Sequence, residues 1–158
     1  MTSELSISDF KYRLNYHTKI GNPQIKGTPF AIFTVFGQSG KEFYGDFDNS
    51  NFQLTKNASL FPLPYVIQGT FKSKNNSETR LSYKIKPIWF GYLWVRIIPI
   101  LALILINGII LTQHQRIETE IILIINIFLL LMFLPILILN YRKKIMEKEF
   151  RKIFKIND

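Results

Sequence analysis

Two long apolar segments dominate the hydrophobic pattern of this 158-residue chain, and both lie in its second half. They are Leu93–Leu111 and Ile121–Asn140, with nine residues between them. The stretch Ile121–Leu139 holds nineteen residues without a charged side chain. As a helix it is roughly 29 Å long, about the thickness of the hydrocarbon core of a bilayer. The pattern therefore predicts a transmembrane hairpin with helices over about 88–111 and 121–140.

Ahead of the hairpin, apolar and polar residues alternate with a period of two, which is typical of strands with one wet face. This pattern covers Phe10–Tyr16, Lys41–Asp48, Phe52–Lys56, Tyr65–Phe71 and Arg80–Lys86. Turn-forming residues separate the last four of these segments. We expect an antiparallel meander of about five to six strands, with one face buried.

The segment 28–37 is ambiguous. Thr28-Pro29 precedes the apolar run Phe30–Phe36, and Gly37 follows it. A Thr cap with Pro at the first helical position favours a short helix. The β-branched and aromatic content of the run favours a buried strand instead. Both interpretations stay open.

The predicted fold class is an α+β membrane protein in three parts. A small antiparallel β-rich domain covers residues 1–87, the hairpin covers 88–140, and a basic amphipathic helical tail covers 141–158. In the tail, Met146, Phe150 and Ile153 fall near one helical face, with Lys and Arg around them. Such a helix either lies on an anionic leaflet or continues the second membrane helix as a stop-transfer anchor.

The distribution of charge predicts the orientation of the hairpin. Residues 1–87 carry a net charge of +5 and residues 141–158 a net charge of +4, whereas the loop 112–120 carries −1. The positive-inside rule then places both termini in the cytoplasm. Aromatic and basic residues at the inner ends of the helices are the predicted interface anchors, namely Trp89, Tyr92, Trp94, Arg96, Arg142, Lys143 and Lys144.

Asn107 and Asn126 are the only strongly polar side chains deep in the apolar spans. We expect them to form helix–helix hydrogen bonds, within the hairpin or with a partner helix, worth roughly 0.5–2 kcal/mol. Neither residue ionises, so a proton relay or an ion pathway has little support here. The bilayer and other membrane subunits, or further copies of the chain, are the expected partners.

The sequence offers no recognisable catalytic motif. It contains no Cys, which excludes disulfides, thiolate metal sites and a Cys nucleophile. The two histidines, His17 and His114, belong to no H-E-x-x-H pattern, and neither a Walker loop nor a G-x-G-x-x-G turn is present. The N-terminus does not have the pattern of a signal peptide. We therefore expect neither an enzyme nor a cofactor, and nucleic-acid binding is not expected because no reader motif accompanies the basic charge.

An acidic strand face is the remaining candidate for ion binding. Asp46 and Asp48 are two residues apart, and Glu42 has the same parity. The three carboxylates form either a weak cation site or a solvated strand face.

Residues 43–91 resemble a family of small bacterial membrane proteins of uncharacterised function that pair a β domain with C-terminal membrane helices. The motifs that carry the resemblance are Phe43-Tyr44-Gly45, Phe52-Gln53-Leu54, Pro64, Gly69-Thr70-Phe71 and Lys86-Pro87, followed by Ile88-Trp89-Phe90. The resemblance implies the bacterial inner membrane and no known activity. The chain departs from the family pattern at its start. Members often have a helix before the first F-x-G strand, whereas Phe10–Tyr16 has the pattern of a strand here.

Two functions fit these observations. The first is a non-catalytic accessory subunit or assembly factor of a larger membrane complex. The second is a membrane-tethered sensor or effector whose β domain binds a small anionic ligand, a nucleotide or a lipid. Its predicted cationic face consists of Lys11, Arg13, Arg80, Lys84 and Lys86.

Overall fold

The computed structural model describes residues 1–28, 40–57, 63–113 and 118–157. Within these ranges the chain forms seven strands, four α-helices and one 3₁₀ helix. In chain order they are β1 (Thr2–Ser3), α1 (Ile7–His17), β2 (Thr18–Ile20), the 3₁₀ helix (Pro23–Gly27), β3 (Phe43–Phe47), β4 (Asn51–Lys56), β5 (Tyr65–Ser73), β6 (Thr79–Pro87), α2 (Trp89–Gln113), α3 (Thr119–Leu131), α4 (Leu134–Ile153) and β7 (Ile156–Asn157). The ambiguous apolar run at 29–37 lies outside the described residues.

All seven strands form one sheet in the order β2-β3-β4-β5-β6-β1-β7. The predicted meander is confirmed for β3 to β6, which pair antiparallel with their neighbours along the chain. The sheet as a whole is mixed, because β2 pairs parallel with β3. This parallel pair was not predicted, since β2 has only three residues and no alternation of its own.

The prediction of a strand over Phe10–Tyr16 is wrong, because this segment lies within α1. Ser6 caps the helix, and its hydroxyl accepts a hydrogen bond from the Asp9 amide at 3.1 Å. Phe10 and Leu14, four residues apart, share the buried face of the helix.

One face of the sheet holds the hydrophobic core. Side chains from β3, β4 and β5 meet α1 and the C-terminal half of α4 there. Phe150 of α4 is fully buried, with its ring centroid 5.4 Å from that of Phe52 and 4.9 Å from that of Phe154. The ion pair between Lys56 and Glu149 lies at the edge of this contact.

The C-terminal tail is therefore part of the sheet domain. The sequence predicted 141–158 as a separate amphipathic helix. This helix was expected either to lie with its apolar face on lipid or to continue the second membrane helix as an anchor. That face, with Met146 and Phe150, packs on the sheet instead. α4 does begin within the second apolar segment, so the helical continuity that one of the two interpretations expected is present.

The two ends of the chain meet in the sheet. β1 lies between β6 and β7 and pairs antiparallel with both. The Ser3 hydroxyl donates to the Phe154 carbonyl at 2.5 Å, and the Thr79 hydroxyl donates to the Leu5 carbonyl at 2.9 Å. Residues 1–87 and 141–157 thus share one core, and the hairpin is an insertion between them.

The described residues include two helical segments that are long and apolar enough to cross a membrane, α2 and the segment Thr119–Ile153. The second is interrupted by a turn at Met132–Phe133. Pro135, near the start of α4, has no amide hydrogen for the bond that a continuous helix needs, which accounts for the break. Pro99 lies inside α2 without interrupting it.

Candidate functional site

The first candidate site is the junction where α2 leaves the sheet domain. Ile88 is buried, and its carbonyl accepts a hydrogen bond from the amide of Tyr92 at 3.0 Å. The ring of Tyr92 packs edge-to-face on that of Tyr65, with centroids 5.9 Å apart. One turn further along α2, the Arg96 guanidinium carbon lies 3.8 Å from the Tyr92 ring centroid.

The same tyrosine pair reaches α4. The Lys143 ammonium lies 5.3 Å from the ring centroid of Tyr65. The hydroxyl of Tyr65 is 3.5 Å from the side-chain oxygen of Asn140. Two cations, Arg96 from α2 and Lys143 from α4, therefore flank one pair of aromatic rings.

The predicted interface anchors lie on two elements beside this junction. Trp89 and Trp94 are 66% and 57% exposed on the first turns of α2. Arg142 and Lys143 are half-buried on α4, and Lys144 is exposed. Exposed indole rings favour the headgroup layer of a bilayer. The anchors thus lie on the first turns of α2 and near the middle of α4.

The predicted helix–helix contacts have a different geometry. The Asn107 side-chain amide donates to the Leu103 carbonyl at 2.9 Å, and that of Asn126 donates to the Ile122 carbonyl at 3.0 Å. Both bonds lie within a single helix. Across the described parts of α2 and α3, these two side chains form no hydrogen bond with each other.

The second candidate site is the face of the sheet opposite the core, here called the outer face. A groove of about 600 Å³ crosses it. Polar side chains that point outward from β4, β5 and β6 line this groove, among them Gln53, Gln68, Thr70, Ser82, Lys84 and Lys86. None of the outward positions of these three strands holds an acidic residue, but Asp48 also lines the groove, and Asp46 of β3 stands directly opposite Gln53 on the same face.

The outer face is also cationic toward its far end, where Lys72 and Arg80 stand directly opposite each other. Like charges in such positions destabilise a sheet by a few tenths of a kcal/mol to about 1 kcal/mol. Of the predicted cationic face, only its β6 members lie here. Lys11 and Arg13 lie on α1 in the other layer, where they bond to the Asn49 side chain and to the Ile153 carbonyl.

The acidic residues near β3 do not form one site. The Asp48 carboxylate accepts hydrogen bonds from the side-chain and backbone amides of Asn51 and the amide of Ser50, which lowers its pKa to about 2. Asp48 thus shapes the turn between β3 and β4. In the described ranges, no group of three or more His, Cys, Asp or Glu side chains is placed to hold a metal ion.

Glu42 pairs with a histidine instead. His17, expected on the wet face of a strand, ends α1, and its Nδ1 lies 2.7 Å from Oε2 of Glu42. Burial raises the pKa of the Glu42 carboxyl, but the hydrogen bond to His17 and nearby cations outweigh this effect and the net pKa is lowered. The contact between His17 and Glu42 connects the C-terminal end of α1 to the residue that precedes β3. His114 lies outside the described residues.

Sequence reasoning missed Lys26, which is only 3% exposed. Its ammonium lies 4.9 Å from the ring centroid of Tyr44, on the 3₁₀ helix that covers the outer face of β3. Burial, and secondarily repulsion from Lys19, lowers the pKa of Lys26. No carboxylate within the described ranges pairs with Lys26. Nothing in the local sequence signals this burial.

Comparisons of the chain with models of known protein families, with curated proteins and with solved structures found no match. The resemblance of residues 43–91 to a family of bacterial membrane proteins therefore stays a prediction that rests on its motifs. Function has to be argued from the junction and the outer face.

Proposed function

We propose that this chain is a non-catalytic inner-membrane protein, an accessory subunit or assembly factor, whose outer face binds an acidic segment of a larger complex. The observation that carries the proposal is the outer face itself. Its exposed outward positions on β5 and β6 are polar and include Lys72, Arg80, Lys84 and Lys86, and no outward position of these two strands is acidic. The carboxylates of this face, Asp46 and Asp48, lie toward its β3 side. An acidic partner complements such a face and relieves the repulsion between Lys72 and Arg80.

The arrangement of the hairpin supports a two-crossing topology. Because residues 1–87 and 141–157 share one core, a chain that enters the bilayer at α2 has to return on the same side. Both of these flanks are basic, whereas the loop between the helices is slightly acidic. The positive-inside rule then favours the cytoplasm for the sheet domain and both termini.

The test is affinity purification of the full-length protein from native membranes in mild detergent, read by native mass spectrometry. We expect stoichiometric foreign subunits. The double variant Lys84→Glu/Lys86→Glu on the outer face should lose them. The control Lys148→Glu/Lys152→Glu changes the net charge equally on the exposed side of α4 and should keep them. Isolation of the wild-type protein alone, or equal loss in both variants, contradicts the proposal.

The half-buried Asn126 supports a contact between membrane helices. Its amide is used within α3, which leaves the side-chain oxygen as an acceptor for a donor on a partner helix. Asn126→Leu should therefore weaken the association with a membrane subunit. Unchanged stoichiometry in this variant would remove Asn126 from the proposed interface.

A membrane-tethered sensor or effector is the second candidate. It is favoured by α4, a single helix that begins in the apolar segment and ends in the core of the sheet domain. A small anion in the groove at Lys84 and Lys86 would act on this helix across the sheet, through Tyr83 of the same strand, whose hydroxyl donates to Glu147 of α4. A thermal-shift screen of the full-length protein with nucleotides and phosphates tests the candidate, and the absence of any stabilisation counts against it.

A further inference from the structure

We infer that the junction of α2 and α4 is a binding site for the headgroup of an anionic phospholipid in the leaflet beside the sheet domain. The inference rests on the proposed insertion of the hairpin, but not on the proposed partner. It assigns a ligand to Arg96 and Lys143, which otherwise serve only as anchors.

The first argument is the uncompensated charge at the junction. Neither Arg96 nor Lys143 forms an ion pair within the described residues. The nearest acidic residues along α4 are engaged elsewhere. Glu147 accepts the Tyr83 hydroxyl at 3.1 Å, and Glu149 pairs with Lys56. The two cations are therefore available to an external anion.

The second argument is the way in which the cations are held. Arg96 and Lys143 lie against the faces of Tyr92 and Tyr65, and these two rings contact each other edge-to-face. Tyr65 is 5% exposed, so the pair is fixed to the sheet domain. Long basic side chains normally lose conformational entropy when they bind. Their contacts with fixed rings reduce that loss and fix both charges beside one aromatic pair.

The third argument is depth. Trp89 and Trp94 are exposed on the same two turns of α2 that carry Tyr92 and Arg96. Indole rings prefer the headgroup layer, so Arg96 lies at the depth of the lipid phosphates. A guanidinium binds a phosphate diester through paired N–H donors. Basic pockets between membrane helices are known to recognise such headgroups.

The experiment compares lipids on the full-length protein in mild detergent. Native mass spectrometry measures retained phosphatidylglycerol against phosphatidylcholine with the same acyl chains, and thermal shift measures the stabilisation by each. The variant is Arg96→Gln/Lys143→Gln. Its control, Lys148→Gln/Lys152→Gln, removes two charges from exposed positions further along α4. Alkaline extraction of native membranes first establishes whether the wild-type protein is integral.

We expect phosphatidylglycerol to bind and stabilise the wild-type and control proteins more than phosphatidylcholine. Each cation near a membrane surface contributes roughly a fivefold change in affinity, so the variant, which removes two cations, should bind phosphatidylglycerol about 25-fold more weakly. Equal retention of the two lipids by the wild-type protein overturns the inference, whatever the variants do. So does equal weakening in the control.

Two further measurements distinguish a lipid site from a site for free anions, and failure of the headgroup site from failure of membrane insertion. Stabilisation by inorganic phosphate equal to that by phosphatidylglycerol identifies a site for free anions and overturns the lipid assignment. Extraction of the wild-type protein at alkaline pH refutes insertion, and with it the proposed function. A protein that stays integral but does not discriminate between the lipids refutes only the headgroup site.

Discussion

Truncation of Phe150 tests whether the C-terminal tail belongs to the sheet domain. The side chain is 0% exposed and contacts the rings of Phe52, Phe154, Phe43 and Tyr83. A buried Phe removes on the order of 200 Å² from water, worth about 5 kcal/mol at about 25 cal/mol per Å². Phe150→Ala forfeits most of this, about 4 kcal/mol, within the range of about 3–5 kcal/mol for such substitutions. Small domains have only about 5–15 kcal/mol in total.

Hydrogen exchange of β4, β5 and β6, followed by mass spectrometry on the full-length protein in detergent, measures this loss at the sheet itself. A loss of about 4 kcal/mol corresponds to roughly thousandfold faster exchange of the most protected amides. The control is Tyr12→Ala, which removes an aromatic ring that is 67% exposed on α1. It should change stability by less than about 0.5 kcal/mol. If Phe150→Ala accelerates exchange less than about tenfold, the tail does not pack on the sheet.

Three further predictions follow from the same packing. A fragment of residues 1–87 alone should not unfold cooperatively. The same residues joined to 141–157 by a Gly/Ser linker of about 15 residues should unfold cooperatively. Calorimetry that finds cooperative unfolding in both proteins, or in neither, contradicts this prediction. Lys26→Met should raise stability by about 1 kcal/mol at pH 7, because it removes a buried, unpaired charge. In the wild-type protein, the free-energy cost of burying the charged Lys26 is fully present at pH values below the lowered pKa of the folded state. This cost decreases as the pH rises from that pKa toward the ordinary value of 10.5, because Lys26 then loses its proton in the folded protein. The difference in melting temperature should therefore narrow between pH 7 and pH 10, and a constant difference would exclude titration of Lys26. Lys155 has a positive φ of 45°, so Lys155→Gly should stabilise by about 0.5–1 kcal/mol, whereas Lys148→Gly, at an exposed position inside α4, should destabilise by about 1 kcal/mol; melting temperatures that move in the same direction contradict the assignment.

The strands of the meander could be predicted from sequence because each carries its own signal. In β6, apolar Leu81, Tyr83 and Ile85 alternate with polar residues along one strand. The turn residues around Asp48 mark where the chain reverses. The two apolar helices were predictable for the same reason, since length and composition are local properties.

Two helices were misread because their signals fit more than one structure. In α1, Phe10 and Leu14 fit both a strand period and a helical i, i+4 pair. The Ser6 cap with Asp9 three residues later was the signal that favoured the helix. In α4, an apolar face flanked by cations packs equally well on lipid or on a sheet.

The packing of that face could not be predicted from the local sequence. Phe150 contacts Phe52 and Phe43, which lie about a hundred residues earlier in the chain. The junction site was predicted only as a set of anchors. Its pairing of Arg96 and Lys143 across two tyrosine rings depends on three elements that only the fold brings together.

The meeting of the two chain ends in the sheet sets an order for biosynthesis. Ser3 bonds to Phe154 across 151 residues, and Ile156 of β7 completes the edge beyond β1. The sheet domain therefore cannot close until residue 156, which lies sixteen residues beyond the second apolar segment, has left the ribosome. Under the proposed topology the hairpin enters the bilayer while the N-terminal strands still lack the core residues of the tail, Met146, Phe150, Phe154 and Ile156. Those strands have to be kept from aggregating during that interval, and completion of the domain then follows membrane insertion rather than preceding it.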